Sequence, residues 1–221
     1  MSDFDRIEGI AAALPIANLD TDQLIPKQFL HGIDKSGLAQ GLFYDLRFDA
    51  DGTPRPGFVL NQPAYQGTRI LVAGANFGCG SSREHAVWSL QQYGIRAVIA
   101  PSYGEIFYSN AMNNRLLLVM LEEDEVQALL DEAGACGEPP RIEIDVRSLT
   151  VRSPRLEASF GMSARHQRMF LEGLDMIGAT LADRAEIDAF AAAHWGRHPW
   201  MRDVARRTYD RLHGTTGRNH V

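Results

Sequence analysis

The sequence predicts an α/β fold in which helices and additional β-structure flank a central, mainly parallel sheet. Three apolar runs are typical of buried strands, at residues 70–75, 95–100 and 116–121. A short connection follows each run, and a segment with helical features comes next. Because successive strand–helix units with short connections place their strands side by side, these observations indicate a parallel sheet.

Helices are predicted from apolar spacing and from charge at their ends. Ala86, Val87, Leu90 and Tyr93 recur at helical spacing, and Gly94 ends that pattern. The acidic residues 122–125 are favoured by the positive end of a helix dipole and indicate a helix start. The predicted helices cover residues 83–93, 105–113, 122–133, 162–173 and 181–195.

The flanking segments are less regular. Residues 141–152 alternate apolar and charged side chains, which predicts a pair of strands. Residues 1–66 contain several turns and little helical periodicity, and residues 174–180 are interpreted as a connection. We expect residues 1–195 to form one domain and residues 196–221, with six arginines against two aspartates, to form a basic C-terminal tail.

Composition excludes several classes of protein. The 221 residues carry a net charge of −6, which argues against a nucleic-acid surface spread over the domain. No apolar stretch approaches the roughly 18 residues of a membrane span. The N-terminal residues are acidic, which argues against a signal or transit peptide, so we expect a cytoplasmic protein without membrane contact.

Few residues are available to hold a metal. Cys79 and Cys136 are the two cysteines of the sequence, fewer than the four thiolates of a typical iron–sulfur cluster. Cys79 lies between glycines before a helix, and it is either a thiol with a lowered pKa or a small residue that fits a tight turn. His194 and His198 lie four residues apart without matching acidic or thiol ligands, so no metal site is predicted in this chain.

The segment 76–86 carries the strongest functional signal. Its sequence is Asn-Phe-Gly-Cys-Gly-Ser-Ser-Arg-Glu-His-Ala, between a predicted strand and a predicted helix. A glycine turn into a helix start leaves backbone N–H groups free to bind an anion. Ser81, Ser82 and Arg83 add two hydroxyls and a guanidinium at that point. The segment is therefore suited to hold a carboxylate and to act on the adjacent carbon.

Ser81 and Glu84 also have the spacing of a capping box, in which their side chains satisfy the first turn of a helix. A cap accounts for this serine and this glutamate, but it requires neither Arg83 nor the paired Gly78 and Gly80. The two interpretations are compatible if one serine caps the helix and the other is exposed.

A second polar segment, residues 18–30, contains two acids and a lysine in a loop-like context. Local bonds to the backbone in an ordinary turn account for Asp20, Thr21 and Asp22. In the functional interpretation, Asp22 orients a basic group while Lys27 or Arg83 meets an anionic substrate.

Together, residues 20–30 (Asp-Thr-Asp-Gln-Leu-Ile-Pro-Lys-Gln-Phe-Leu) and residues 76–86 resemble the small-subunit family of bacterial 3-isopropylmalate dehydratases. This family is the separate-chain form of the swivel domain of the aconitase superfamily. The resemblance extends over residues 5–193 in the family's order. Further matching segments are residues 42–48, 98–103, 106–108, 113–114 and 173–181.

The resemblance implies an aconitase swivel-like fold for residues 1–195 and a hydro-lyase activity. The family's complete enzyme isomerises 2-isopropylmalate to 3-isopropylmalate through 2-isopropylmaleate, in leucine biosynthesis. It is active only as a heterodimer or larger assembly, and its [4Fe-4S] cluster belongs to the large subunit. No cofactor is therefore expected in this chain, and its expected partners are an iron–sulfur large subunit and a small dicarboxylate.

By the same resemblance, Ser81 matches the serine general base and Asp22 an active-site aspartate, while Ser82 and Arg83 match binders of the substrate carboxylate. Lys27 is a further candidate contact to the substrate. Two alternatives stay open. One is the small subunit of a related citraconate, maleate or dimethylmaleate hydratase. The other is a non-catalytic anion-binding module whose basic tail contacts RNA.

Overall fold

The computed structural model describes residues 5–30, 36–135 and 138–213, and within these ranges seven strands form one sheet. The strands are β1 (Arg6–Leu14), β2 (Ile70–Ala73), β3 (Ala97–Ala100), β4 (Leu117–Met120), β5 (Arg141–Asp145), β6 (Thr150–Arg152) and β7 (Glu157–Ser159).

The sheet has a parallel half and an antiparallel half that meet at β1. The strand order is β4-β3-β2-β1-β5-β6-β7. Strands β1 to β4 pair in parallel, whereas β5, β6 and β7 pair antiparallel with their neighbours. The predicted α/β fold is confirmed, and the additional β-structure is the antiparallel half of the same sheet.

Nine α-helices lie within the described residues. They are α1 (Thr21–Leu24), α2 (Tyr44–Arg47), α3 (Glu84–Tyr93), α4 (Glu105–Asn113), α5 (Glu123–Gly134), α6 (Ala164–Glu172), α7 (Met176–Ala182), α8 (Arg184–Arg197) and α9 (Val204–His213). Helix α5 packs against β1, β2 and β3, and α3 packs against α4. All residues of β2 and β3 are buried, as expected for parallel strands with helices on their faces.

The prediction of several turns in residues 1–66 was incomplete, because it did not include β1. The strand is difficult to recognise because its two halves follow different patterns. Residues 6–10 alternate in burial and pair antiparallel with β5, whereas the alanine-rich residues 11–14 pair in parallel with β2. Alanine is depleted in strands, so this half lacks the usual compositional signal. The interpretation of residues 174–180 as a connection was also wrong, because α7 begins at Met176.

Contacts divide the chain into two units, of which the first ends at Met176 and the second begins at Ile177. No residue from 177 to 213 is buried. Large apolar side chains in this range, such as Phe190 and Trp200, are 67% and 63% exposed. The tail boundary predicted at residue 196 falls inside the second unit, where α8 continues to Arg197, and it stays a prediction. In the described part of the chain, no helix has the length and apolar character needed to cross a membrane.

Candidate active site

The two polar segments singled out in the sequence meet at the carboxyl edge of the parallel half. One follows β1 and the other follows β2, and these strands are neighbours. The Gly78 backbone N–H donates to the Leu19 carbonyl over 2.7 Å, and the Thr21 N–H donates to the Cys79 carbonyl over 3.0 Å. Parallel strands end at the same edge of a sheet, so the topology brings residues 18–22 against residues 77–83.

Two glycines determine the backbone conformation of the loop after β2. Gly78 has φ +73°, and a Cβ atom there would lie 2.3 Å from the ring of Phe107. Gly80 has φ +94°, which L side chains rarely adopt. The loop therefore needs glycine at both positions to pack on α4 and to turn toward α3.

The hydroxyl of Ser81 lies against the loop that follows β1. Its Oγ is 3.0 Å from Thr21 Oγ1, and its backbone N–H donates to the same Thr21 oxygen over 3.2 Å. Ser81 and Ser82 are exposed, whereas Thr21 is buried. The Ser82 carbonyl accepts a hydrogen bond from the side-chain amide of Asn110 over 3.3 Å. The two serines are therefore open to solvent on a backbone held from both sides.

Arg83 forms an ion pair with Asp22 across the same two loops. The side chain of Arg83 is 24% exposed and that of Asp22 is 60% exposed. The carboxylate therefore restricts the orientation of the guanidinium, and the five N–H donors of an arginine leave some for a second anion. Asp22 thus contacts a basic group as the functional interpretation expects.

The capping-box interpretation of Ser81 and Glu84 was wrong. Helix α3 begins at Glu84, its N-cap is Arg83, and no side chain caps it. Ser81 lies two residues upstream of the N-cap, and its hydroxyl contacts Thr21 instead. The start of α3 therefore lacks a side-chain cap for its first-turn N–H groups, and the loop of Ser81 and Ser82 leads directly into this positive end of the helix.

Glu84 instead belongs to a polar network that joins α3 to the end of α4. Its carboxylate accepts a hydrogen bond from the side-chain amide of Asn114. The Asn114 carbonyl oxygen Oδ1 accepts from the indole N–H of Trp88 over 3.0 Å. Sequence reasoning missed the roles of Asn110 and Asn114, although residues 113–114 belong to the resemblance. The network fixes the start of α3, and with it the position of Arg83.

Tyr103 supports the same edge of the sheet through its hydroxyl. Its hydroxyl lies 2.7 Å from the Val98 carbonyl and 2.8 Å from the Val119 carbonyl, so it bridges β3 and β4. Burial raises the pKa of Tyr103 well above its ordinary value. The phenol therefore stays protonated and acts as a structural donor.

Lys27 is not brought into these contacts. It begins a short 3₁₀ turn, Lys27–Phe29, and is exposed. Within the residues that the structure describes, no hydrogen bond or ion pair joins it to Ser81, Ser82 or Arg83. Its proposed contact with a substrate depends on the substrate extending beyond the Ser81 loop.

The donor set does not fit an iron–sulfur cluster. Of the two cysteines, Cys136 lies outside the described residues, and the thiol of Cys79 donates to the Asn18 carbonyl over 3.3 Å. Across residues 5–30, 36–135 and 138–213, no three His, Cys, Asp or Glu side chains are grouped as a metal site. The rings of His194 and His198 lie 4.9 Å apart without a third ligand of that kind.

Comparison with known proteins identifies the family. The family model of the aconitase C-terminal domain matches residues 1–124, which include both loops of the site. The chain is 66% identical over 207 residues to 3-isopropylmalate dehydratase small subunit 1 of Chromobacterium violaceum, covering 94% of this chain and 97% of that protein. The chain belongs to the 3-isopropylmalate dehydratase small-subunit family.

Other members of this family agree. The 3-isopropylmalate dehydratase small subunit of Phenylobacterium zucineum is 48% identical over 202 residues, 91% of this chain and 98% of that one. The crystal structure of 3-isopropylmalate dehydratase from Methanocaldococcus jannaschii superposes with a TM-score of 0.60 at 27% identity, covering 84% of this chain and 99% of that chain. The resemblance and the swivel-type fold are thus confirmed, and the comparisons do not favour the alternative hydratases or the RNA-binding module.

Proposed function

We propose that this chain is the small subunit of a 3-isopropylmalate dehydratase, a cytoplasmic hydro-lyase of leucine biosynthesis that works together with a large subunit. One observation carries the proposal. An exposed serine hydroxyl, that of Ser81, lies at an uncapped helix start beside an arginine whose orientation is restricted by a carboxylate. The 66% identity to a 3-isopropylmalate dehydratase small subunit supports the assignment of isopropylmalate as the substrate.

Ser81 acts as the general base in this proposal. It takes the proton from the carbon beside a substrate carboxylate, and the electron pair of that C–H bond forms the double bond of 2-isopropylmaleate as the hydroxyl leaves the neighbouring carbon. A serine hydroxyl is a weak base near neutral pH. The hydroxyl must therefore give its own proton to solvent before it takes that of the substrate, and fixed donors and positive charge in the chain must stabilise the deprotonated oxygen.

Ser82 and Arg83 bind a carboxylate of the substrate in this proposal. The guanidinium of Arg83 binds a carboxylate with parallel N–H donors, and the hydroxyl of Ser82 and backbone N–H groups at the start of α3 add to that site. Asp22 holds Arg83 in place through their ion pair. Lys27, on the same segment as Asp22, meets the second carboxylate of the dicarboxylate substrate in this proposal.

A partner completes the site. The resemblance to the family implies that the [4Fe-4S] cluster lies in the large subunit, and the two cysteines of this sequence, too few for such a cluster, are consistent with that. When bound there, it supplies a Lewis acid that assists departure of the substrate hydroxyl. Ser81 and Ser82 are exposed here, and closure of the partner over them would exclude water from the reacting carbon.

The experiment reconstitutes this chain with an iron–sulfur large subunit and assays 2-isopropylmalate against citraconate, maleate and dimethylmaleate. We expect 2-isopropylmalate to give the highest kcat/KM. Ser81→Ala should lower turnover by about 10²- to 10⁴-fold because the base is lost. Its free energy of unfolding should fall by about 1 kcal/mol, since the hydrogen bond between the Ser81 hydroxyl and the buried Thr21 hydroxyl is lost.

Ser148→Ala is the matched control, because Ser148 is an exposed serine that bonds Thr150 in the antiparallel half of the sheet. Its turnover should equal that of the unmodified enzyme. Near-normal turnover of Ser81→Ala would remove Ser81 from the role of base. A preference for citraconate or maleate would instead replace the proposed substrate.

A further inference from the structure

The contact between Thr21 and Ser81 joins two loops that lie 60 residues apart in the sequence. Sequence reasoning assigned Thr21 to a local turn, and the structure corrects this. Asp20 does bond locally, since its carboxylate accepts the Gln23 N–H over 2.8 Å. The hydroxyl of Thr21, however, meets only atoms of Ser81 among the hydrogen bonds of the described residues. This specificity suggests a role beyond local structure.

The direction of the hydrogen bond follows from the hydrogens available. A threonine hydroxyl has one hydrogen and two lone pairs. Thr21 Oγ1 uses a lone pair to accept the Ser81 backbone N–H over 3.2 Å. Its hydrogen has two acceptors within reach, Ser81 Oγ at 3.0 Å and the Ser81 carbonyl at 3.4 Å. While both hydroxyls keep their hydrogens, either can donate in the 3.0 Å contact, but a deprotonated Ser81 has no hydrogen left, so Thr21 must then be the donor.

We propose that Thr21 is a positioning residue for Ser81, whose oxygen it fixes and stabilises by donating a hydrogen bond. The inference rests on the proposed function, in which Ser81 is the base. A donor aimed at the serine oxygen becomes charge-assisted, and therefore stronger, when that oxygen carries negative charge. Thr21 thus favours the deprotonated form of Ser81, which is the form that accepts the substrate proton.

The surroundings of Thr21 keep this donor in place. Thr21 is 1% exposed, so solvent does not compete for its hydroxyl. Its backbone N–H is bound to the Cys79 carbonyl over 3.0 Å, and it begins helix α1, whose N-cap Asp20 forms a capping box. The branched Cβ of threonine further restricts χ1. The donor is therefore preorganised, which is the property that makes such a hydrogen bond effective in catalysis.

The test uses the reconstituted complex with Thr21→Val and Thr21→Ser. The valine variant keeps the branched shape and removes the donor, whereas the serine variant keeps the donor. Thr68→Val is the matched control, because Thr68 is also 1% exposed and donates over 2.6 Å to the Tyr65 carbonyl, outside the site. Thr21→Ala replaces Thr21→Val if the valine variant does not fold, since it removes the same donor with less bulk.

We expect Thr21→Val to lower kcat about 100-fold, as loss of one donor to a reacting oxygen does, and to change KM by no more than about threefold. The rise of log kcat with pH should move to higher pH, because the deprotonated serine has lost a donor. Thr21→Ser should restore kcat to within about threefold of the unmodified enzyme, and Thr68→Val should leave both kcat and the pH profile unchanged.

Three results would overturn the proposal: normal kcat in Thr21→Val, a loss of kcat with no movement of the pH profile, or a Thr21→Ser variant as impaired as Thr21→Val. These failures are distinguishable from failure of the proposed function. If Ser81→Ala is inactive and Thr21→Val has a normal kcat, the proposed role of Thr21 is wrong and that of Ser81 is retained. If Ser81→Ala is fully active, the role of Ser81 as the base falls as well.

Discussion

In the parallel half of the sheet, β2 and β3 are buried at every residue, whereas in the antiparallel half β5 buries only alternate residues. The exposed faces of the antiparallel strands carry ion pairs, such as Arg141 with Glu8 and Arg152 with Glu157. The polar groups at the parallel half's carboxyl edge lie instead in loops beyond the strand ends. The candidate site therefore lies beyond the strand ends of one half, in the loop after β2 and at the start of α1, whereas exposed charged residues of the other half form ion pairs with each other.

This difference predicts that substitutions in the two halves have separable effects. Changes in the loops after β1 and β2 should act on turnover, and changes in the antiparallel half should act on the free energy of unfolding or on nothing measurable. Ser81→Ala and Thr21→Val test the first statement. Three further substitutions test the comparison itself, in decreasing order of expected effect.

Gly78→Ala should have the largest effect, because this glycine serves both the loop and the packing beneath it. The left-handed conformation costs a non-glycine residue about 1–2 kcal/mol. The new Cβ, 2.3 Å from the Phe107 ring, adds about 1–3 kcal/mol of overpacking. We expect loss of turnover together with a lower urea midpoint. Gly67→Ala is the control, since Gly67 has φ +80° with nothing within 4 Å, and it should show the conformational cost alone.

Ile144→Ala should affect stability without affecting chemistry. Ile144 is fully buried in β5, so its truncation leaves a cavity that costs about 2–5 kcal/mol. Chemical denaturation should show this loss, while kcat per folded complex stays normal because no residue of β5 belongs to the site. A fall in kcat comparable to that of Gly78→Ala would contradict the separation of the two halves.

Arg141→Gln should have the smallest effect. Its ion pair with Glu8 spans 3.2 Å, but the two side chains are 64% and 49% exposed. Exposed pairs of this kind contribute about 0–1 kcal/mol and are screened by salt. We expect the thermal midpoint of the variant to be close to that of the unmodified protein, and the difference between the two midpoints to disappear at high ionic strength. Turnover should be unchanged. A large loss of turnover would show that the antiparallel face contributes to the site.

Much of the parallel half could be predicted because its strands are uniform apolar runs between helical segments. Strand β1 could not, because its halves are alternately buried and alanine-rich and its partners lie on both sides. Without β1, the neighbouring positions of residues 18–22 and 77–83 were not deducible from the chain. The motifs still identified Ser81, Ser82, Arg83 and Asp22 as the candidates, whose roles stay proposals.

The local prediction at Ser81 failed for a related reason. Spacing alone indicates a capping box, but tertiary contacts decide which partner a serine hydroxyl meets. The Ser81 hydroxyl forms its hydrogen bond with Thr21, which follows β1, and the Glu84 carboxylate accepts one from Asn114 at the end of α4. Both partners are more than 25 residues distant in sequence, at separations of 60 and 30 residues. Sequence patterns at helix spacing do not contain that information.

The shared strand β1 also sets an order of events during synthesis of the chain. Leu14 pairs with Ala73, but Arg6 pairs with Asp145, so one end of the same strand finds its partner long before the other. At about 5–20 residues per second, the ribosome takes several seconds to make the intervening chain. Strands β1 and β2 can therefore pair first, and residues 6–10 stay unpaired until β5 has been synthesised. A nascent chain paused between these two points would already contain both loops of the candidate site, before the antiparallel half of the sheet is made.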